Sequence, residues 1–168
     1  MLPHIDDPRS LAVIHQSGPA DLERVRRAYA AAGIEARAEA FFNDMDRQYA
    51  QADLVVCRAG ATTVAELTCS GLPAIFIPLP HAADNHQEIN ARAVVDAGAA
   101  EMIRETELDG GMLWQHIRAL RDAPGRLEAM AAQARGLGRP DAAETIVTDI
   151  ARQFLQPAPP TGDPATES

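Results

Sequence analysis

Two short stretches of this chain, with one carboxylate beside them, have residue types and spacings suited to holding a small polar ligand. Residues 58–63, RAGATT, place a glycine before two hydroxyls at what reads as a helix start. Gly60 lets backbone approach a ligand closely, and the free N–H groups of a helix N-terminus favour an anion such as phosphate. Arg58 could add charge there, or be a solvated arginine beside an ordinary turn. Glu66 follows one helical turn on. Its carboxylate can accept two hydrogen bonds from a sugar diol such as ribose. Thr63 and Glu66 also have capping-box spacing, which would account for the carboxylate without a ligand.

The second stretch, residues 81–90, reads HAADNHQEIN. His81, Asn85, His86, Gln87 and Asn90 are neutral groups that suit sugar hydroxyls, which both donate and accept. His81 and His86 with Asp84 raise a metal reading, but no closed tetrahedral set is evident. Asp84 or Asn85 also reads as an N-cap, and Asn90 as a surface helix residue. Phe41 and Phe42 precede Asn-Asp-Met at 43–45. One ring could wall a flat base, or both could pack in the core. His15 is equally a strand-end histidine or a participant. There is no Walker loop, no GxGxxG, no Ser-His-Asp elbow and no convincing carboxylate pair. The chain offers binding chemistry and little bond-making chemistry.

These residues must be positioned by elements legible from pattern. Apolar runs at 54–57 and 74–78 lack alternation, as parallel strands buried on both faces should. A helix at 63–70 joins them, with Gly71 at its C-cap and Pro73 beyond. Further strands are expected at 11–15, 36–42 and 99–104. Helices are expected from about Pro19 to Gly33, briefly after 43–44, and over 85–97. Three more follow, around 113–120, 124–134 and 141–154, the last with Ile146, Val147, Ile150 and Phe154 as its inner face. The expectation is an α/β domain with one parallel sheet covered on both faces. Residues 15–18, 41–45, 58–63 and 78–87 then meet at the carboxyl edge of the sheet, where open α/β folds bind ligands. Residues 1–10 begin no regular element. The proline-rich 156–168 reads as a disordered tail. The strand count is low, and another strand is expected before Leu11.

Fifteen basic against 24 acidic side chains give a formal charge of −9, which argues against a general nucleic-acid binder. Cys57 and Cys69 form no metal or redox spacing and read as thiols of a reducing compartment. No apolar run approaches the ~18 residues of a membrane span, so the chain reads as soluble or at most peripheral.

HQSG at 15–18, FFNDM at 41–45, the long block at 52–91 and GAAEMI at 98–103 together resemble the carboxyl-terminal half of the MurG family. These bacterial transferases add GlcNAc to lipid I. The resemblance implies a Rossmann-like domain of the GT-B type lacking its first strand. Residues 11–155 would then be the nucleotide-sugar domain, and 1–10 a leader or remnant of a preceding unit. It implies UDP-GlcNAc as donor and no cofactor. Phe42 would flank the uracil and read it through main-chain groups. Glu66 would hold the ribose, Thr62 and Thr63 would lie near the diphosphate, and Arg58 would line the cleft. His86 and Gln87 would face the sugar, with Asn90 in support. The family's glycine-rich diphosphate loop and acceptor-binding amino-terminal domain are not found here. The resemblance thus implies that lipid I is engaged only with that other half, which a separate subunit could supply, as in the two-subunit eukaryotic enzyme of the dolichol pathway. It implies a cytoplasmic location, or the cytoplasmic face of the inner membrane for the whole enzyme. The lost strand would leave sheet edge and core exposed.

Overall fold

The computed structural model describes residues 2–80 and 85–154. Parallel strands alternate with helices: β1 (Ala12–Gln16), α1 (Leu22–Ala32), β2 (Glu35–Glu39), α2 (Met45–Tyr49) and β3 (Val55–Cys57). Then follow α3 (Ala61–Ser70), β4 (Ala74–Phe76), α4 (His86–Asp96) and β5 (Ala100–Met102). Helices α5 (Gly110–Asp122), α6 (Arg126–Leu137) and α7 (Ala142–Phe154) complete the order. Gly33 and Gly71 end α1 and α3 at φ 67°, each turning its N–H back onto carbonyls of the last turn. The expected elements are present, with most strands a residue or more shorter than the apolar runs that announce them.

One continuous sheet was the expectation, and two are found. β1 pairs with β2 from Ala12↔Glu35 to Gln16↔Glu39. β3, β4 and β5 form a separate parallel sheet, with Val56 opposite Ile75 and Ile75 opposite Glu101. Among the described residues, β1 and β3 are not bonded to each other.

Alternation along the strands sorts their side chains onto two helical layers. On one face, Val13 and Ala36 pack with Val25, Tyr29 and Ile34, and with Trp114 of α5. On that same face Ile75 packs with Ile103, Leu120 and Met130. Ile117 of α5 joins both groups, so α1 and α5 share a layer. On the other face, Val55, Cys57, Ala74 and Phe76 pack against Leu67 of α3 and Ala91 and Val94 of α4. Helices thus cover both faces. β4 is the innermost strand, with all three residues buried.

Residues 1–10 are not featureless. Leu2–His4 and Pro8–Ser10 are 3-10 turns, and Ile5 is buried beside Tyr29, Ile34 and Trp114. The side-chain oxygen of Asp7 accepts from the Arg9 N–H, which fixes the second turn. Residues 2–138 belong to one compact unit and α7 to a second. The face of α7 expected to be inner is exposed: Ile146, Val147, Ile150 and Phe154 are each more than half accessible. Amphipathic spacing identifies an apolar stripe, but not whether the chain itself covers it.

Candidate functional site

The loop after β3 is the best-fixed part of the candidate site. Ala59 is fully buried, and its carbonyl accepts from the Asn90 side-chain amide of α4 at 3.1 Å. Gly60 is the N-cap of α3, with extended backbone and no side-chain capping bond. The first helical residues are therefore Ala61, Thr62 and Thr63. The first main-chain bond of the helix runs from the Val64 N–H to the Gly60 carbonyl, at 2.9 Å. The expected capping box is not formed. Thr63 is the third helical residue, three positions past the N-cap Gly60, because the helix begins earlier than its hydroxyls suggest. The N–H groups of the first turn thus face the loop without a capping side chain.

Glu66 is instead engaged across the fold. Its Oε2 accepts from the Tyr49 hydroxyl of α2 at 3.1 Å, while the side chain stays exposed. Burial, reinforced by this bond to Glu66 and its charge, pushes the Tyr49 phenol up to about 12. Tyr49 therefore remains a donor at neutral pH.

Arg58 is not the uncommitted cation that residues 58–63 suggest. Its Nη1 donates to the carbonyls of Ile77 (3.1 Å) and Pro78 (3.2 Å) and pairs with the Glu105 carboxylate. Gln87 acts on the same segment from the other side: its Oε1 accepts from the Leu79 N–H at 2.9 Å. Arg58, Gln87 and Asn90 are thus brought together as clamps on the loops after β3 and β4. His86, exposed, opens α4 behind Asn85, an N-cap at φ 52° with no side-chain capping bond. His81 and Asp84 lie outside the described residues. Among those described, no group of three or more His, Cys, Asp or Glu could hold a metal ion.

Phe42 is buried, with the Arg37 guanidinium 5.1 Å from its ring centroid. Its N–H donates to the Gln16 side chain at the end of β1, at 2.9 Å. The expected base wall is therefore inside. Phe41, 67% exposed, is the ring that faces outward. His15 is paired with the Tyr29 hydroxyl at 2.9 Å, and burial lowers its pKa. Burial pushes the Cys57 thiol up to about 12, which keeps it protonated and a poor nucleophile near neutral pH.

Tyr49, Glu105 and Gln16 were not legible as site residues. Each acts through a partner distant in sequence, and no local motif marks them. A cavity of about 410 Å³ between the first 3-10 turn and α5, lined by His4, Trp114 and Arg118 among others, shares no residue with this site. We give it no role in ligand binding, since it lies away from the carboxyl ends of the strands.

A doubly wound parallel fold with its polar loops gathered after the strands is Rossmann-like, and it matches the carboxyl-terminal half of a GT-B glycosyltransferase. Residues 3–146 match the glycosyltransferase family 28 C-terminal domain, and the chain belongs to that family. It is 51% identical over 153 residues to a Myxococcus xanthus UDP-N-acetylglucosamine–N-acetylmuramyl-(pentapeptide) pyrophosphoryl-undecaprenol N-acetylglucosamine transferase, covering 91% of this chain and 40% of that protein. An Anaeromyxobacter enzyme of the same name is 54% identical over 156 residues, covering 92% and 41%. The crystal structure of Acinetobacter baumannii MurG superposes with a TM-score of 0.81 at 35% identity, over 90% of this chain and 43% of that one. The chain therefore spans about two fifths of the relatives it matches. Among the described residues, no helix is long and apolar enough to cross a membrane.

Proposed function

We propose that this chain is the donor-binding half of an inverting transferase that moves GlcNAc from UDP-GlcNAc to lipid I. The observation that carries this reading is the uncapped start of α3, one turn before the exposed Glu66, in a chain half identical to such transferases. In the reaction, the acceptor hydroxyl oxygen attacks the anomeric carbon and gives up its proton to a general base supplied by the other half of the enzyme. The bond from that carbon to the diphosphate breaks, and UDP leaves with the electron pair. This chain holds the donor for that step. Glu66 accepts from the ribose hydroxyls. The first-turn N–H groups of α3, with the Thr62 and Thr63 hydroxyls, meet the diphosphate and stabilise charge as it develops. The uracil lies along residues 41–43, where Phe42 fixes the backbone from beneath and Phe41 presents a ring. His86 and the Gln87 amide nitrogen face the sugar, and Asn90 keeps the loop below it in place. Arg58 acts chiefly by shaping the loop after β4, because Glu105 already balances its charge.

The acceptor, lipid I, is engaged by the other half of the full-length enzyme, which works at the cytoplasmic face of the membrane. Calorimetry with UDP-GlcNAc, UDP-GalNAc and UDP-glucose tests the reading. UDP-GlcNAc should bind at least tenfold tighter than the others, and altering Glu66 and Gln87 together should abolish that binding. Unchanged binding in the double variant would overturn it. The isolated chain should bind donor without turning it over on lipid I.

A further inference from the structure

We propose that Arg37 and Gln48 are positioning residues for the base end of the donor site, holding residues 42–44 in the conformation that receives a uracil ring. This inference rests on the donor reading above, which lays the uracil along residues 41–43. Neither side chain touches the ligand. Both act through a closed circuit of contacts drawn from β2, α2 and the loop between them: Arg37 from β2, Phe42 and Asp44 from the loop, and Gln48 from α2.

Gln48 is a buried polar side chain, 3% exposed. Thr68, also buried and polar, bonds carbonyls of its own helix, as short hydroxyl side chains commonly do. Gln48 instead joins separate elements. Its Oε1 accepts from Arg37 Nη1 at 3.3 Å, and its Nε2 donates to Asp44 Oδ1 at 2.9 Å. A buried amide left unbonded is costly, so both ends are served and both partners are pinned with it. Asp44 departs from its local role to do this. It stands at the N-cap of α2, yet its carboxylate makes no capping bond and is directed to Gln48. Stability alone does not call for this arrangement, since an apolar side chain at 48 would fill the same space without needing partners.

The circuit closes through Phe42. The guanidinium that bonds Gln48 also lies over the buried Phe42 ring, within cation–π reach. The Phe42 main chain is tied separately, by its N–H to Gln16 of β1. Phe42 and Asp44 are thereby fixed on either side of the exposed Asn43, and Phe41 is turned outward. A fully bonded buried network of this kind is rigid and favours a single arrangement. A loop that must match the edge of a flat base has to be held to within about 0.5 Å, and side chains behind it supply that precision. The sugar end of the donor is served by α4, which takes no part in this circuit.

Calorimetry with UDP, CDP, UDP-GlcNAc and UDP-GalNAc tests the assignment. Gln48→Met keeps the volume and removes both bonds. UDP affinity should fall about fivefold or more, and the preference for UDP over CDP should fall with it. The preference for UDP-GlcNAc over UDP-GalNAc should be kept, because the sugar is held from α4. A general loosening of the fold would lower both preferences together. Arg37→Met, at an exposed position, should reproduce the loss, and serves if the Gln48 variant does not fold. Asp44→Asn combined with Gln48→Glu exchanges donor and acceptor in one bond and keeps an acceptor facing Arg37, so this pair should return affinity to near that of the parent. A base preference that survives in both single variants, or one that falls together with the sugar preference, would overturn the assignment and leave the donor reading standing. So would a parent chain that binds UDP and CDP alike. A parent chain that does not bind UDP would overturn the donor reading, and this inference with it.

Discussion

The Tyr49 hydroxyl donates to the Glu66 carboxylate at 3.1 Å, joining the helix before β3 to the helix after it. The bond fixes the rotamer of the one carboxylate placed to hold a ribose, and it uses only part of that carboxylate's accepting capacity. Tyr49 is thus a positioning residue. Tyr49→Phe should weaken UDP-GlcNAc binding by about threefold to tenfold, as expected for one neutral donor worth ~1 kcal/mol. Glu66→Ala removes the charge-assisted bonds themselves and should cost more, at least tenfold. Calorimetry on the two variants checks the order. Equal affinity of Tyr49→Phe and the parent chain would show that Glu66 orients itself.

Arg58 and Glu105 predict opposite effects for two changes at one contact. The pair is nearly half exposed on each side, so its direct contribution to stability is small, about 0–1 kcal/mol. Arg58→Ala removes two bonds to the carbonyls of Ile77 and Pro78 and should loosen the loop after β4, lowering donor affinity at least tenfold. Glu105→Gln keeps Arg58 but removes the anion that balances it. Affinity for the diphosphate donor should then rise two- to threefold at low salt, and the gain should vanish near 1 M salt, where the Debye length is about 3 Å. Binding isotherms at two ionic strengths separate these outcomes.

What was legible in the sequence was local. Gly33 and Gly71 announce helix ends because only glycine takes a positive φ without cost, and both stand where expected. The unbroken apolar runs around Val55 and Ile75 read correctly as parallel strands. The split of the sheet was not legible, because pairing between β1 and β3 is a long-range property that no window of residues encodes. The Thr63–Glu66 spacing misled for a related reason. A capping box is a pattern of side chains, and the helix start is decided by backbone, here by Gly60. Arg58 with Glu105, and Tyr49 with Glu66, lie 47 and 17 residues apart, so neither partner carries a local signature. The exposed α7 face shows the same limit, since periodicity reports a stripe but not its cover.

Gly60 offers a test of site occupancy with little cost to the fold. Its backbone, φ −65° and ψ 148°, is open to any residue. An added Cβ would meet only the Thr63 hydroxyl, at 3.9 Å. Gly60→Ala should change stability by less than about 1 kcal/mol, because the gain from a less flexible unfolded chain is opposed by the poorer fit of alanine at an N-cap. The same methyl would stand at the uncapped mouth of α3, where the diphosphate is proposed to approach. Donor affinity should fall at least tenfold while the melting temperature holds. Full affinity in this variant would place the diphosphate elsewhere.

The two cysteines predict how stability responds to alkali. Burial raises the Cys57 thiol from an ordinary 9.0 to about 12, while Cys69 is exposed. A folded-state pKa above the unfolded one means that the unfolded chain gives up its proton first. Stability from Cys57 is therefore complete below about pH 9 and is lost as the pH rises toward 12. Tyr49, raised from 10.0 to about 12, adds a second loss that begins one unit later. Denaturant titrations should show unfolding free energy falling between pH 9 and 12. In Cys57→Ala the decline should start nearer pH 10, beside a loss at neutral pH of about 1 kcal/mol from the smaller side chain. The same burial governs reactivity, because the thiolate is the attacking form. At pH 8 a disulfide reagent should modify one thiol of the native chain quickly, and the second only after unfolding. Equal, rapid reaction of both would mean that the layer of Leu67 and Phe76 over β3 opens far more readily than its packing implies.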